Sequence, residues 1–340
     1  AYRRQRQMCI RDRPYTELVI AVGSTSNYFG VPGAAEHTIS LNGKHDAEDF
    51  RNKMMRHLHY ANGPQRRDSE AEAGVDVVII GGGATGVELA AELAEARTEL
   101  AAYGVHQMDA KKSIRITILE GSPRVLAPLP ERVSAAATKL LGERDVRVHT
   151  GCRVVDITPT QVTDSTGKTY KADITVWAAG IKAPDFLSTL GLQQARSGAL
   201  VVDQYLTVAG QANIYAIGDC AAFTGADGKM APPRAQTAHQ QADYLAARLL
   251  RKFSGKLGAE APYVYKDYGS LVSIGHSTSV GNLMGSLAGR WFFVEGWWAR
   301  IMYVSLHLMH HKALLGTVRT GVLAVARYLI KRTAPLVKLH

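Results

Sequence analysis

The chain is expected to fold as an α/β protein with doubly wound parallel sheets, and three observations carry that expectation. Residues 75–80 form an unbroken apolar run that feeds Gly81-Gly82-Gly83-Ala84-Thr85-Gly86 and then an alanine-rich stretch, in the order strand, glycine turn, helix. Strand-like and helix-like segments go on alternating through residue 180, as a parallel sheet with crossover helices requires. A second α/β piece follows, in which residues 213–217 read as a buried strand ending on Gly218-Asp219 ahead of a helix from about Gln236 to Phe253.

Taken in order, residues 15–22 read as a strand that ends at Gly23-Ser24, and a loop closed by Val31-Pro32-Gly33 follows. Asp46 is placed to cap a helix reaching about Tyr60. Residues 61–74 are a polar connection, and the glycine-loop strand begins directly after it. The helix after the glycines runs to about Tyr103, a polar loop spans 106–113, and a second strand covers 114–119. Short strands are expected near Val146, Val154 and Ile174 and over 199–202, then strand pairs and a basic tail complete the chain.

With 340 residues, 46% hydrophobic and 21% charged, the chain can bury a large core and has room for two domains and an appendage. Its net charge of +10 belongs to the ends: residues 1–13 hold five Arg against one Asp, and residues 290–340 hold eight Lys or Arg against one Glu. The near-neutral body excludes a basic stripe for nucleic acid. Cys9, Cys152 and Cys220 are odd in number and widely spaced, so no disulfide framework is expected and a reducing compartment is. No run of 18 apolar residues exists to span a bilayer, and the start lacks the apolar core of a signal peptide. Residues 1–13 match no element and read as a non-native leader.

The glycine loop carries the chemistry. Gly81 permits the tight turn, Gly83 lets backbone approach phosphates, and Gly86 lets strand and helix pack closely; Gly82 and Thr85 complete the loop. Such a turn at a helix N-terminus is a site for a dinucleotide pyrophosphate. The acidic ribose reader is expected about 20 residues on, whereas Glu120 lies 34 past Gly86. The extra residues fall between the two strands, leaving Glu120 just beyond a strand end, where it would accept from the adenosine ribose hydroxyls and repel a 2′-phosphate. NADH is thereby favoured over NADPH, with nearby Arg124 tempering the preference; an exposed strand-end glutamate is the alternative. Glu88, in the first turn of the helix, is favoured there by the helix dipole alone.

Three further segments each admit two meanings. Trp177-Ala178-Ala179-Gly180 has side chains small enough for a flat ligand to approach, or is a buried hinge. Asp219 could accept from polyol hydroxyls, or cap a turn. In Ala235-Gln236-Thr237-Ala238-His239-Gln240 the two glutamines share a helix face and the alanines leave room for a planar ring, or the face is simply solvated.

The succession Gly23-Ser24, glycine loop, Glu120, Trp177-Ala-Ala-Gly-Ile181, Ile217-Gly-Asp-Cys220 and Ala235-Gln-x-Ala-x-Gln240 resembles the type II NADH:quinone oxidoreductases over about residues 14–340. The ending Leu336-Val-Lys-Leu-His340 is similar to their proteobacterial respiratory branch. That resemblance implies two Rossmann-like domains of the disulfide-reductase type, FAD and NADH as cofactors, and electron delivery to membrane quinone without proton pumping. It makes Gly81, Gly82, Gly83, Thr85, Gly86 and Glu120 contacts of NADH, with Ala179, Gly180, Gly218 and Asp219 further cofactor contacts. Ala235, Gln236, Ala238 and Gln240 become quinone contacts, and Glu88 a catalytic position near the nicotinamide. No metal site is implied.

One departure from the family is plain: it carries two glycine-rich loops, the first for FAD, and this chain has one. The expectation is an amino-terminally truncated copy with an incomplete flavin domain over 14–48 and 182–260. An NADH domain over 49–181 and a C-terminal region over 261–340 make up the rest. Activity is expected of the full-length parent and stays open for this chain.

From Gly296 onward Trp297, Ile301, Val304, Leu308 and Leu315 form an apolar stripe flanked by Arg300, Lys312 and Arg319, and residues 322–330 add a second apolar segment. Such helices would lie in an anionic interface on the cytoplasmic face of the inner membrane, peripheral to it, the alternative being an ordinary core or homodimer helix. His307, His310 and His311 are taken as interfacial polar groups. Rival functions are a soluble pyridine-nucleotide reductase with a protein or disulfide acceptor, and a flavin-free NADH-binding fragment.

Overall fold

The computed structural model describes residues 14–61, 74–102, 113–255, 260–275, 279–284 and 291–333. The leader with Cys9, the polar connection after α1 below, most of the 106–113 loop and the final pentapeptide lie outside them. The chain divides into two compact units, one made of the segment up to Thr25 with Lys182–Lys266, the other of Ser26–Ile181 with the chain from Asp267 on, and the two-residue strands β2 (Thr25–Ser26) and β11 (Ile181–Lys182) fall at two of the unit boundaries in the sequence.

In the first unit β1 (Leu18–Ile20) pairs in parallel with β13 (Ile214–Ala216), and β12 (Leu200–Val202) pairs in parallel with β14 (Ala221–Phe223). Tyr215, Leu187, Leu200 and Leu206 are fully buried at their centre. A 3₁₀ turn over Gly218–Cys220 joins β13 to β14, so the strand expected over 213–217 is trimmed to Ile214–Ala216 and the chain turns at the glycine.

The second unit is built on a five-stranded parallel sheet. Its order is β3 (Ile39–Ser40), β10 (Ile174–Trp177), β4 (Val75–Ile80), β5 (Ile114–Leu119) and β6 (Val146–His149). Every residue of β4 is buried, which is why its sequence runs apolar without alternation. Helices α1 (Lys44–Ala61), α2 (Ala84–Ala102) and α3 (Glu131–Glu143) pack on the sheet through one core that holds Met54, Val87, Ala91 and Leu141. An antiparallel meander of β7 (Val154–Ile157), β8 (Gln161–Asp164) and β9 (Thr169–Lys171) is inserted before β10.

Because β3 pairs with β10, residues 26–48 belong with the dinucleotide-type sheet, and the unit boundary falls at 25/26, not at the expected 48/49. The C-terminal region also joins this unit. Its antiparallel sheet of β15 (Gly269–Ser273), β16 (Ser279–Met284) and β17 (Trp291–Glu295) contributes Val272, Ile274 and Val280 to the same core as β4 and α2.

Asp46 sits inside the first turn of α1, where its carboxylate accepts from the N–H groups of Asn42 and Gly43. At the N-terminal end of β4 the buried Asp76 accepts two bonds of 2.7 Å from the Arg115 guanidinium. The tail, α5 (Gly296–Thr333), is broken at Gly316, whose φ of 76° and ψ of 170° are not helical. A glycine alone takes that conformation readily.

Candidate functional site

The C-terminal ends of β4, β5 and β10 converge on the glycine loop. Gly81 has φ +112°, and a Cβ there would fall 2.5 Å from the Ala178 carbonyl oxygen. A Cβ on Gly86 would fall 2.0 Å from the Gly81 oxygen and 3.3 Å from Ile79 Cγ2, so only glycine lets α2 approach the strand this closely. Gly83 differs: a Cβ there would meet nothing within 4 Å, so its side is open to an incoming group. Gly82 packs against the aliphatic part of Glu120, a role that the spacing of the motif did not reveal.

Glu120 is half-buried and is drawn into the loop. Its Oε2 accepts from the Gly82 N–H at 2.5 Å and its Oε1 from the Ser122 N–H at 2.6 Å, which orients the carboxylate over the glycine turn. Arg124 turns the other way. Its guanidinium donates to the carbonyls of Leu126 and Ala127 and to Ser134 Oγ. The expected tempering of the NADH preference by Arg124 therefore loses its basis, since those donors hold the loop that follows Glu120. That loop is tied in turn to the glycines by the Leu126 N–H, which donates to Gly82 O at 2.8 Å.

Two cavities flank this arrangement. One of about 330 Å³ is lined by Gly81, Gly82, Gly83, Thr85, Glu120 and the Ala178–Ala179–Gly180 segment, among others. A second of about 550 Å³ shares Gly81, Glu120, Ser122 and Ala179 and reaches Phe29, Cys152 and Arg153. Both fall in the size range of small-molecule sites. Cys152 is buried, with its Sγ 3.5 Å from both Asp164 Oδ2 and Tyr170 Oη, and burial pushes its pKa up, so the thiol stays protonated. The Asp164 carboxyl is held below the usual range, first by the Thr166 hydroxyl.

Of the predicted site residues, Gly81, Gly82, Gly83, Thr85, Glu120, Ala179 and Gly180 thus line one cavity, with Gly86 packed beneath the loop. Glu88 is not among its lining residues. Glu88 Oε1 accepts from the Ser273 N–H at 2.9 Å and so ties α2 to β15.

In the first unit Gly218 has φ +74°, and Ser24 Oγ donates to Asp219 Oδ2 at 2.8 Å across 195 residues of sequence. Helix α4 (Ala235–Phe253) sends two neighbouring glutamines to different tasks. Gln240 pairs both amide atoms with the main chain of Lys266, at 2.8 and 3.0 Å. Gln241, only 1% exposed, accepts from the Gly218 N–H at 2.7 Å. Gln236 lies one turn before Gln240, Ala235 is exposed, and Ala238 packs beside Gly218. Gln241 is the buried polar residue beside the Gly218 turn that sequence reasoning missed. Its signal was a polar side chain in line with Thr237 and Leu245 on the buried face of the helix.

Comparisons with known proteins identify the family and the fold. The model of the pyridine nucleotide-disulphide oxidoreductase family matches residues 8–242. A type II NADH:quinone oxidoreductase of Haemophilus influenzae is 36% identical over 96% of this chain and 76% of its own length. The chain belongs to the type II NADH:quinone oxidoreductase family. An internal alternative NAD(P)H-ubiquinone oxidoreductase of Solanum tuberosum mitochondria is 30% identical over 86% of the chain, which spans 60% of that relative. Among solved structures, NDH2 of Plasmodium falciparum in complex with NADH shares the fold, with a TM-score of 0.79, 22% identity, and coverage of 95% of this chain and 79% of that one. The fold class expected from the sequence is thereby borne out: this is the α/β plan of the pyridine nucleotide-disulphide oxidoreductases, with a helix at its C-terminal end.

Proposed function

We propose that the chain binds NADH at its glycine loop, holds part of an FAD through the Gly218 turn, and serves electron transfer from NADH to a membrane quinone without pumping protons. The observation that carries this is the Glu120 carboxylate, fixed by the N–H groups of Gly82 and Ser122 at the wall of both cavities. A fixed anion at that position receives the two hydroxyls of an adenosine ribose and repels a phosphate on the 2′ oxygen. The open side of Gly83 and the N-terminus of α2 suit the pyrophosphate.

FAD, when bound, supplies a two-electron acceptor for hydride. On this chain Asp219, oriented by Ser24, and Gly218, held by Gln241, are the groups suited to one edge of it. Glu88 is proposed to act near the nicotinamide by keeping α2 and β15 in register. The alanine-glutamine face of Ala235, Gln236, Ala238 and Gln240 is proposed as the quinone side. The tail supports a peripheral membrane surface, proposed to be the cytoplasmic one, since Trp297, Trp298, Leu314, Val318 and Val322 are all more than half exposed on α5. Among the described residues no helix is long and apolar enough to cross a membrane. The basic tail and the alanine-glutamine helix favour this reading over a disulfide reductase, and among the described residues Cys152 and Cys220, both free, buried thiols with raised pKa values, lend that rival no support.

The test is coenzyme preference together with acceptor dependence. Glu120→Gln should narrow the gap between NADH and NADPH binding measured by calorimetry, and an unchanged ratio removes the ribose role. In anionic vesicles with FAD supplied, adding ubiquinone or menaquinone should speed NADH oxidation; no acceleration by either rejects the quinone assignment.

A further inference from the structure

Phe29 stands at the wall of the larger cavity in a conformation that bulky residues rarely take. Its φ is +51° and its side chain leaves the residue 64% exposed. Left-handed backbone at an aromatic residue and an apolar ring in water both cost stability. The loop around it is nevertheless built to keep them. The Phe29 N–H donates to Asn27 Oδ1 at 3.0 Å, the Asn27 N–H donates to Gly180 O at 2.9 Å, and Trp177 Nε1 donates to Asn27 O at 2.9 Å.

The ring rests its edge on the backbone of Gly180, where an added Cβ would come within 2.7 Å of Phe29 Cζ. Gly180 is therefore small because an aromatic ring occupies the space above it. Phe29 shares its cavity with Glu120, Ser122 and Arg153, the first of which orients a carboxylate toward a ribose under the function proposed above. A ring held by three hydrogen bonds of its loop, with its remaining surface turned to a cavity and to solvent, offers a flat apolar face for a planar base.

We propose that Phe29 is a specificity-determining wall against which the adenine ring of the dinucleotide packs, with Gly180 as its seat. This inference rests on the dinucleotide assignment of the glycine loop and Glu120. The strain is present with or without ligand, and a bound base covers the part of the ring that Gly180 leaves exposed.

The test uses the whole chain and two probes, ADP-ribose and reduced nicotinamide mononucleotide, with calorimetry and thermal melting. Phe29→Gly, which fits a positive φ without strain, should melt at the same temperature as the wild type or higher. Its Kd for ADP-ribose should rise about tenfold, the scale of one lost base–aromatic contact. Phe29→Tyr should restore the affinity, and binding of the mononucleotide should not move. Unchanged ADP-ribose affinity in Phe29→Gly overturns the inference, as does a joint loss of melting temperature and affinity, which marks a structural residue. A loss confined to the mononucleotide overturns the adenine assignment. Absence of ADP-ribose binding by the wild type rejects the dinucleotide assignment itself and the inference with it.

Discussion

Replacing Gly86 and Gly83 by alanine should have opposite consequences, although both belong to one glycine loop. At Gly86 the new methyl would sit 2.0 Å from the main-chain oxygen of Gly81. Ordinary contact needs about 3.5 Å, so the start of α2 would have to retreat by roughly 1.5 Å. Overpacking of that kind costs about 1–3 kcal/mol, and a rigid backbone neighbour puts this case at the upper end. Alanine returns about 1 kcal/mol of helix propensity, which leaves a net loss of about 2 kcal/mol. For a unit of this size that lowers Tm by about 4–8 °C. At Gly83 the same methyl meets nothing within 4 Å, so the fold should be untouched. Its methyl would instead stand in the open space proposed for the pyrophosphate. Melting followed by circular dichroism, paired with NADH titration by calorimetry, separates the two. A Gly86→Ala protein that melts like the wild type refutes the packing argument, and a Gly83→Ala protein with full NADH affinity refutes the phosphate site.

Acid should loosen the second unit through Asp76. Burial pushes its pKa up, but the paired Arg115 and the nearby Lys171 outweigh that and leave it below the normal value. A carboxylate depressed on folding contributes its stability above about pH 4 and loses it as pH falls through the folded value. Asp76→Asn should thus cost about 3 kcal/mol at pH 7 and flatten the acid limb of urea midpoints measured from pH 7 to pH 3; an unaltered limb argues against the pair. Gln241→Leu strands the Gly218 N–H at a cost of about 1–3 kcal/mol, so denaturant midpoints should fall more for it than for Gln240→Leu. Leu314, Val318 and Val322 changed together to serine should leave melting unaltered, since all three are exposed. Binding to anionic vesicles in flotation assays should drop about a hundredfold, at roughly 1 kcal/mol per residue for partial insertion. Full flotation of that triple variant argues against α5 as the anchor.

Much of the dinucleotide unit was legible because a parallel strand buried on both faces and a glycine turn leave local marks. Val75–Ile80 is such a strand, and the displacement of Glu120 by a long helix and loop did not hide it at the end of β5. What escaped was long-range. The Ser24–Asp219 bond joins segments 195 residues apart, and nothing in either segment encodes the other. Helical periodicity put Gln236 and Gln240 on one face but could not say which face the core would take; burial chose Thr237, Gln241 and Leu245. The positively charged Arg124 looked available by proximity to Glu120, and only the folded loop revealed that its donors are spent on main-chain carbonyls. The boundary near residue 48 was misplaced because a two-residue strand such as Ile39–Ser40 is too short to carry a period.

The break at Gly316 gives the tail a geometry that a single codon controls. Its φ and ψ belong to a region closed to L side chains, so almost any replacement would favour a straight continuation. An uninterrupted helix of 38 residues would be a rod of about 57 Å. Two shorter cylinders meeting at an elbow can instead lay their greasy sides along the same plane, and the direction in which the second leaves the first is then an inherited trait of one residue with no side chain at all.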